Sequence, residues 1–346
     1  MATRDIIVIG ASAGGVETIG TLVKLLPKDL AAAVFLVIHV PQGAVSILPQ
    51  LLSRARTLPA LHPKDKEQIQ HGRIYIAPPD NHLLVKRGYL RLVRGPKENR
   101  RRPSVDPLFR TAARSYGNRV VAIVLTGNLD DGTAGLVAVK EQGGIAIVQD
   151  PSEALYPGMP TSAIEGVDVD YVLPVSEIAS LLVRLTQERV DETRGPESEE
   201  LETESDIAEL DFEAVHKYKR PGTPSRFTCP DCHGVLWELG EEGLRFRCRV
   251  GHAYSVNNLL DGQTDAVEDA LWAAIRAMEE NVALLQKMAN RLQEKRQEQM
   301  ANRFWRRAQT ADQRAEVLRQ LLLSRSSVEL SGLSDSIADI DLERNN

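Results

Sequence analysis

The sequence predicts an α/β fold, doubly wound around a mostly parallel sheet, with a small Cys/His module and a helical tail behind it. Three observations carry that prediction. From Asp5 to about Leu185, β-branched runs alternate with stretches whose apolar residues fall at helical spacing. Those β-branched runs are almost continuously apolar, as strands covered on both faces must be. The three cysteines of the chain all fall within residues 229–248, apart from that alternation.

In chain order the predicted strands are DIIVIG, AAVFLVIHV, RIYIAPP, RVVAIVLTG and GIAIVQD. Between them VETIGTLVKLL, VSILPQLLSRA, DPLFRTAARSY and TAGLVAVKEQ read as helices. The stretch HLLVKRGYLRLV alternates in polarity around Arg87–Gly88, which predicts a β-hairpin inserted among the βα units. These elements make residues 1–186 one domain. Residues 187–225 are strongly acidic (ESEELETESD) with few aromatics, and read as a flexible linker. The Cys/His module spans 226–258, a helical segment 262–327, and a disordered tail 328–346.

Composition narrows the class of function. A net charge of −6 argues against a general nucleic-acid binder. No apolar run approaches the roughly 20 residues of a membrane span, so direct membrane insertion is not expected. The first strand begins at Asp5 with no signal peptide ahead of it, and so few cysteines make no disulfide framework. Both point to a reducing cytoplasm.

The first strand runs into IIVIGASAGGVETIG, where two templates overlap. Gly10, Ser12 and Gly14 satisfy G-x-S-x-G, the elbow that exposes a serine hydroxyl between a strand and a helix. The same glycines loosely match a dinucleotide loop, in which helix N-terminal amides hold a pyrophosphate. A dinucleotide fold needs an acid about 20 residues further on, to bind the ribose. Here FLVIHVPQG ends in His39 instead. A third strand leads into LTGNLDDGTAG, presenting Asp130 and Asp131. Taken alone, Asp-Asp-Gly is an ordinary turn and His39 an ordinary core or loop residue. Together, three strand ends deliver a nucleophile, a base and an orienting carboxylate to one edge of a sheet.

At this point the chain resembles the catalytic domain of the protein-glutamate methylesterases of bacterial chemotaxis (CheB type). The resemblance covers about residues 5–185 and rests on IGASAGG, VIHVPQG, IAPPDNHLLV, RRPSVDPLFRTAA, LTGNLDDGTAG and QDPSEALYPGMPTSAI. It implies Ser12 as nucleophile, His39 as base and Asp131 as orienting acid, with no cofactor for catalysis. It implies as substrate a glutamyl methyl ester on a methylated chemoreceptor or receptor-like signalling protein, with glutamine deamidation as a second activity. Ala13 and Gly14, opening the first helix, together with Asn128, are candidates for the oxyanion site, and Met159 for the cleft. Two departures stand out. Asn128 and Leu129 occupy positions where the family usually has methionine and glycine, so Leu129 has to adopt a glycine's dihedrals. The best-known members also carry a phosphoacceptor receiver domain ahead of the esterase, and a first strand at Asp5 leaves no room for one. Lys97, Arg100, Arg101 and Arg102 form a basic loop suited either to an acidic receptor helix or simply to solvent. A non-catalytic adaptor that keeps the esterase fold is the competing reading, and a nucleotide-dependent oxidoreductase a third.

In the module, Cys229 and Cys232 are separated by two residues, and Cys248 and His252 by three. Such spacing puts each pair on a tight turn, where four ligands can converge on a structural zinc ion between the strands VLWEL and LRFRC. A reduced thiol cluster, or a ribbon that folds without metal, are the alternatives. In the tail, Leu271, Ile275, Met278, Val282, Leu285, Ala289 and Leu292 form one apolar stripe, and Met300 to Leu322 a second. Such stripes need partner helices. An antiparallel hairpin turning near 293–299 is expected, with one long helix forming a homo-oligomer as the alternative.

Overall fold

The computed structural model describes every residue except Met1, Pro41, Gln42, Ala44, Val45, Arg56, Arg194, Glu197, 211–221, 241–243 and 344–346, and describes side chains as far as Ser324. It divides into two units, Met1–Leu260 and Asp261–Asn346.

The first unit is built on strands β1 (Ala2–Thr3), β2 (Ile6–Ala11), β3 (Ala33–Ile38), β4 (Ala60–Leu61) and β5 (Arg73–Ile76), then β6 (His82–Lys86), β7 (Tyr89–Val93), β8 (Val120–Val124), β9 (Ile145–Gln149), β10 (Tyr171–Leu173) and β11 (Arg189–Val190). Helices α1 (Gly15–Leu25), α2 (Leu48–Ser53), α3 (Val105–Tyr116), α4 (Thr133–Glu141), α5 (Gly158–Gly166), α6 (Val175–Leu185) and α7 (Glu199–Ala208) connect and cover them. Seven strands form one sheet in the order β10-β9-β8-β2-β3-β5-β4, and every neighbouring pair is parallel. The hairpin expected at HLLVKRGYLRLV is β6–β7, a separate antiparallel pair.

Alternation along the strands sorts side chains between two cores. Val8, Phe35 and Tyr75 face Leu108 and Phe109 of α3, Leu136 of α4 and the hairpin's Leu83 and Leu90. Ile7, Ile9 and Leu36 face Ile19 and Leu22 of α1 and Ile178 and Leu182 of α6. Each such side chain contributes about 1.5–3 kcal/mol by leaving water, which is why the sheet is the rigid part of the molecule. The chain starts the sheet at β2, places β3 on one side and β8 on the other, and so creates a crevice at their C-terminal ends, where α/β sheets bind ligands.

The acidic stretch differs from the expected flexible linker. Within it α7 is capped by Ser198, whose hydroxyl accepts the Leu201 N–H at 3.2 Å, and it buries Leu201 and Ala208. Its acids are paired: Glu202 and Asp206 with Arg114, and Glu204 with Arg245 and Arg247. A run that looks solvated in sequence is thus docked by arginines supplied from distant segments. Residues 211–221 of that stretch lie outside the described residues.

Strands β12 (Thr223–Thr228), β13 (Val235–Leu239), β14 (Arg245–Cys248) and β15 (Ala253–Ser255) form an antiparallel sheet around a small core of Cys229, Leu236, Phe246, Cys248, Tyr254 and Leu259. It belongs to the same unit as the large sheet.

The second unit begins at Asp261 within the helix Val256–Glu294, which turns at Arg296, whose φ is +58°, into the helix Glu298–Glu343. Val282 and Leu285 pack on Ala308, Phe304 and Ala311, so the two stripes cover each other within one chain and no single long helix forms. The second helix runs past the end expected at residue 327, without a proline in its course. No helix among the described residues is long and apolar enough to cross a membrane.

Candidate active site

After β2 the chain turns sharply at Ser12 into α1. The Ser12 N–H donates to Thr126 O at 2.9 Å, and Gly15 N–H closes the turn on Ser12 O at 3.0 Å. This fastens the serine to the end of β8. The approach requires a glycine at 127, where a Cβ would stand 2.8 Å from Ser12 Cβ and 2.2 Å from Met159 Sδ. On the other side, His39 N–H donates to Ala11 O at 3.2 Å, which brings the end of β3 level with Ser12.

The three residues expected to act together are brought together. His39 Nδ1 lies 3.0 Å from Ser12 Oγ, and His39 Nε2 lies 2.7 Å from Asp131 Oδ2. An ionised carboxylate only accepts, so Nε2 carries the ring proton and Nδ1 is left to accept from the serine hydroxyl.

Asp131 is almost completely buried and is held on every side. Its Oδ1 accepts from Asn99 Nδ2 at 3.0 Å and from Asp106 N–H at 3.2 Å. Its Oδ2 accepts from Val105 N–H at 2.8 Å, and Ser104 Oγ lies 2.9 Å from both oxygens. Val105 and Asp106 open α3, so the carboxylate sits at the positive end of that helix. Burial pushes its pKa up, but the bond and charge of His39, with the Val105 and Asn99 donors, outweigh burial and hold it well below the usual carboxylate range.

The capping is reciprocal. Asp106 Oδ1 accepts from Gly132 N–H at 3.1 Å and Gly135 N–H at 2.7 Å, at the start of α4. Asp106 itself is pushed up to about 8, first by burial and then by the charge of Asp131. Asn99 Nδ2 sits between the two acids, 2.8 Å from Asp106 Oδ2. Ser104, Asn99 and Asp106, which surround the candidate acid, are positions that the strand-end reading missed. The one local signal was the Ser-Val-Asp that opens the α3 sequence, which has the form of a helix start.

Above the three residues lies a cavity of about 290 Å³, lined by Ser12, Ala13, His39, Asn99, Arg101, Asn128, Leu129, Asp131 and Asn258 among others. Ala13 and Asn128, the oxyanion candidates, are among its lining residues. Gly14 serves the turn, with φ +72°, and does not line the cavity. Leu129 takes φ +62°, the glycine-like conformation that its position demands. Met159 does not line the cleft: it is fully buried beneath Gly127. Of the basic loop, Arg101 borders the cavity, whereas Arg102 pairs with Asp80 and Lys97 with Asp231. Asp130 is turned to Ser255, Asn257 and Asn258 rather than left as a bare charge.

In the antiparallel module, Cys229, Cys232, Cys248 and His252 bring one donor atom each within 4.8 Å of one another. His252 Nδ1 is 3.6 Å from both Cys229 Sγ and Cys248 Sγ, and Cys232 Sγ is 3.6 Å from Cys248 Sγ.

A serine hydroxyl, an imidazole and a buried carboxylate in series, at the C-terminal edge of a parallel sheet, have the arrangement that serine-type hydrolases use, here on an open α/β fold. The chain belongs to the CheB methylesterase family, whose model matches residues 7–182. Among curated proteins it is 37% identical over 189 residues to a putative protein-glutamate methylesterase/protein-glutamine glutaminase of Leptospira interrogans, covering 54% of this chain and 98% of that one. It is 35% identical to protein-glutamate methylesterase/protein-glutamine glutaminase 3 of Geobacter metallireducens, covering 53% of this chain and 52% of the relative. Among solved structures, the CheB methylesterase catalytic domain of Thermotoga maritima is similar at 35% identity and a TM-score of 0.51, covering 54% of this chain and 99% of that one. Helix α7, the Cys/His module and the helical pair all lie beyond the family match.

Proposed function

We propose that this protein hydrolyses glutamyl methyl esters on a methylated chemoreceptor or receptor-like signalling protein, with Ser12, His39 and Asp131 as its catalytic residues. The observation that carries this reading is the unbroken series Ser12 Oγ–His39 Nδ1–Asp131 Oδ2, at 3.0 and 2.7 Å, opening into one cavity. Ser12 Oγ attacks the ester carbonyl as its proton passes to His39 Nδ1. The Ala13 N–H, just ahead of α1, and Asn128, both of residues that line the cavity, supply candidate donors to the oxyanion. The tetrahedral adduct collapses by breaking the bond to methoxide, which takes the Nδ1 proton and leaves as methanol. Water then attacks the acyl-serine, giving its proton to Nδ1, and the glutamate is released as Ser12 regains its proton. Asp131 keeps Nε2 protonated throughout and stabilises the imidazolium. The printed names of the relatives pair methylesterase with glutaminase activity, and a glutamine side chain would follow the same course with ammonia leaving.

Cys229, Cys232, Cys248 and His252 fit a structural zinc ion. Bonds of about 2.3 Å to sulfur and 2.0 Å to nitrogen in a tetrahedron place donor atoms roughly 3.5–3.8 Å apart, and three of the donor separations here are 3.6 Å. Such an ion would supply folding energy to a module whose apolar core is small. Four protein ligands leave no open position for catalysis.

Methanol release from methylated receptor tests the activity. Wild type is expected to release methanol and Ser12→Ala to lose roughly 10⁴–10⁶-fold in rate; release undiminished in Ser12→Ala removes the proposed nucleophile. The adaptor reading has lost its main support, since Leu129 adopts the required backbone conformation and the three residues are assembled.

A further inference from the structure

The Cys/His module is not a separate bead. Strand β15 starts one residue after His252 and, besides pairing with β14, forms a parallel bridge with Glu98 in the loop that leads to the catalytic acid's holders. Asn99 N–H donates to Ala253 O at 2.8 Å and Ala253 N–H to Lys97 O at 3.3 Å. Ser255 N–H donates to the side-chain oxygen of Asn99 at 3.2 Å. The other end of that same amide is the donor to Asp131 and Asp106. Four consecutive residues, His252 to Ser255, therefore connect a cluster ligand to the group that positions the catalytic carboxylate.

Two further observations show that the loop depends on this support. Asn99 and Arg100 have φ of +48° and +63°, and Glu98 and Arg101 exchange hydrogen bonds across them, so the loop makes a tight turn without a glycine. Such a conformation persists in non-glycine residues only where the surroundings over-determine it. Glu98 is buried between Arg110 of α3 and Arg247, the residue before Cys248, and Pro96 lies where a Cβ on Gly251 would meet it at 2.8 Å. At the end of β15 and just past it, Ser255 and Asn258 grip Asp130, the neighbour of Asp131, and Asn258 lines the cavity itself.

We propose that metal loading of the Cys229–Cys232–Cys248–His252 cluster switches the esterase, by holding the strand Ala253–Ser255 against Asn99 and so fixing Asp131 beneath His39. Asn99 is then a positioning residue acting through Asp131, and the module is a metal-dependent wall of the active site. The inference rests on the catalytic and zinc assignments made above. When the cluster loses its metal, β14 and β15 lose the ligand bonds that pin their ends, and Asn99 loses both its backbone and its side-chain partner. The large sheet, with its own two cores, does not depend on the module.

The test uses the full chain, with three readouts: zinc content, labelling of Ser12 by a fluorophosphonate followed by intact mass, and hydrogen exchange resolved by peptide. Labelling reports an activated serine without needing the right receptor; methanol release is measured in parallel to separate kcat from KM. Removal of zinc by a chelator is expected to slow labelling about 10–100-fold and to lower kcat with little change in KM. It is also expected to raise exchange in residues 95–106 while β2, β3 and β8 stay protected, and added zinc should restore all three. Asn99→Ala should retain its zinc, show the same loss, and respond much less to the chelator, because the connection is already cut. Zinc loss with unchanged labelling and unchanged exchange in 95–106 overturns the switch, as does a chelator effect equally large in Asn99→Ala. Exchange rising in the large sheet as well would show general unfolding and overturn it too. If labelling depends on zinc but no receptor releases methanol, the substrate reading fails while the switch stands.

Discussion

The catalytic edge and the Cys/His module each gather reactive side chains from distant parts of the chain, yet they are held by different physics. Ser12, His39 and Asp131 are carried by strands whose alternating apolar faces fill two large cores, so their placement follows from burial. Among the described residues the module's core cluster has six buried side chains, two of them cysteines proposed as metal ligands. It is fastened instead by ion pairs to α7 and to the Lys97–Glu98 loop, and by the proposed ligand set. The difference teaches that one half of this candidate site is intrinsic to the fold, whereas the other half, on the switch proposed above, is conditional on metal.

The sharpest way to break the comparison is to remove a ligand. Cys248→Ser is expected to abolish zinc binding, worth on the order of 10 kcal/mol in small zinc modules, and to open residues 222–256 to limited proteolysis. The melting transition of the large sheet should survive, as read by calorimetry. A single merged transition lost in the variant would show that sheet and module fold as one.

A smaller effect is expected from the charges between the two regions. Glu204 is buried among Arg245, Arg247 and Arg110. Burial pushes its pKa up, but those arginines outweigh it and hold it well below the usual range. Its contribution is therefore present above the unfolded carboxylate pKa and lost as pH falls through the depressed folded value. Glu204→Gln, which leaves these arginines short of a partner, should cost about 3–5 kcal/mol, measured by denaturant unfolding at neutral pH. It should also remove part of the acid sensitivity.

The smallest predicted effect lies wholly on the catalytic side and concerns pH. With Asp106 pushed up to about 8 by burial and by Asp131, the folded state binds a proton that the unfolded chain has already released. Stability from this group is present below the unfolded pKa and declines as pH rises towards 8. Asp106→Asn should flatten that decline by up to about 1.4 kcal/mol per pH unit, in unfolding curves taken between about pH 6 and 8. An unchanged slope would mean that Asp106 is already ionised at neutral pH in the folded protein.

Much of the intrinsic half was legible in the sequence. A strand ends where its β-branched run ends, so Ser12, His39 and the pair Asp130–Asp131 could be placed on one edge from pattern alone, the family resemblance singling out Asp131. The conditional half was hidden for a physical reason: its contacts join residues far apart in the chain. Nothing local to ESEELETESD says that Arg114, Arg245 and Arg247 will meet its acids, and a charge run read alone belongs in water. Nothing near Asn99 announces Ser255, 156 residues away. Met159 shows the opposite error, a residue in a suggestive motif whose task is to fill space under Gly127.

The exchange of caps between α3 and α4 has a consequence for how the protein assembles. Asp131 satisfies the first amides of α3, and Asp106 satisfies those of α4, so neither helix start is complete until the other has arrived. The two helices should therefore form and fray together as one cooperative unit. Folding the scaffold and setting the catalytic acid then become the same event, and no long-lived species with the helices in place and Asp131 astray should accumulate.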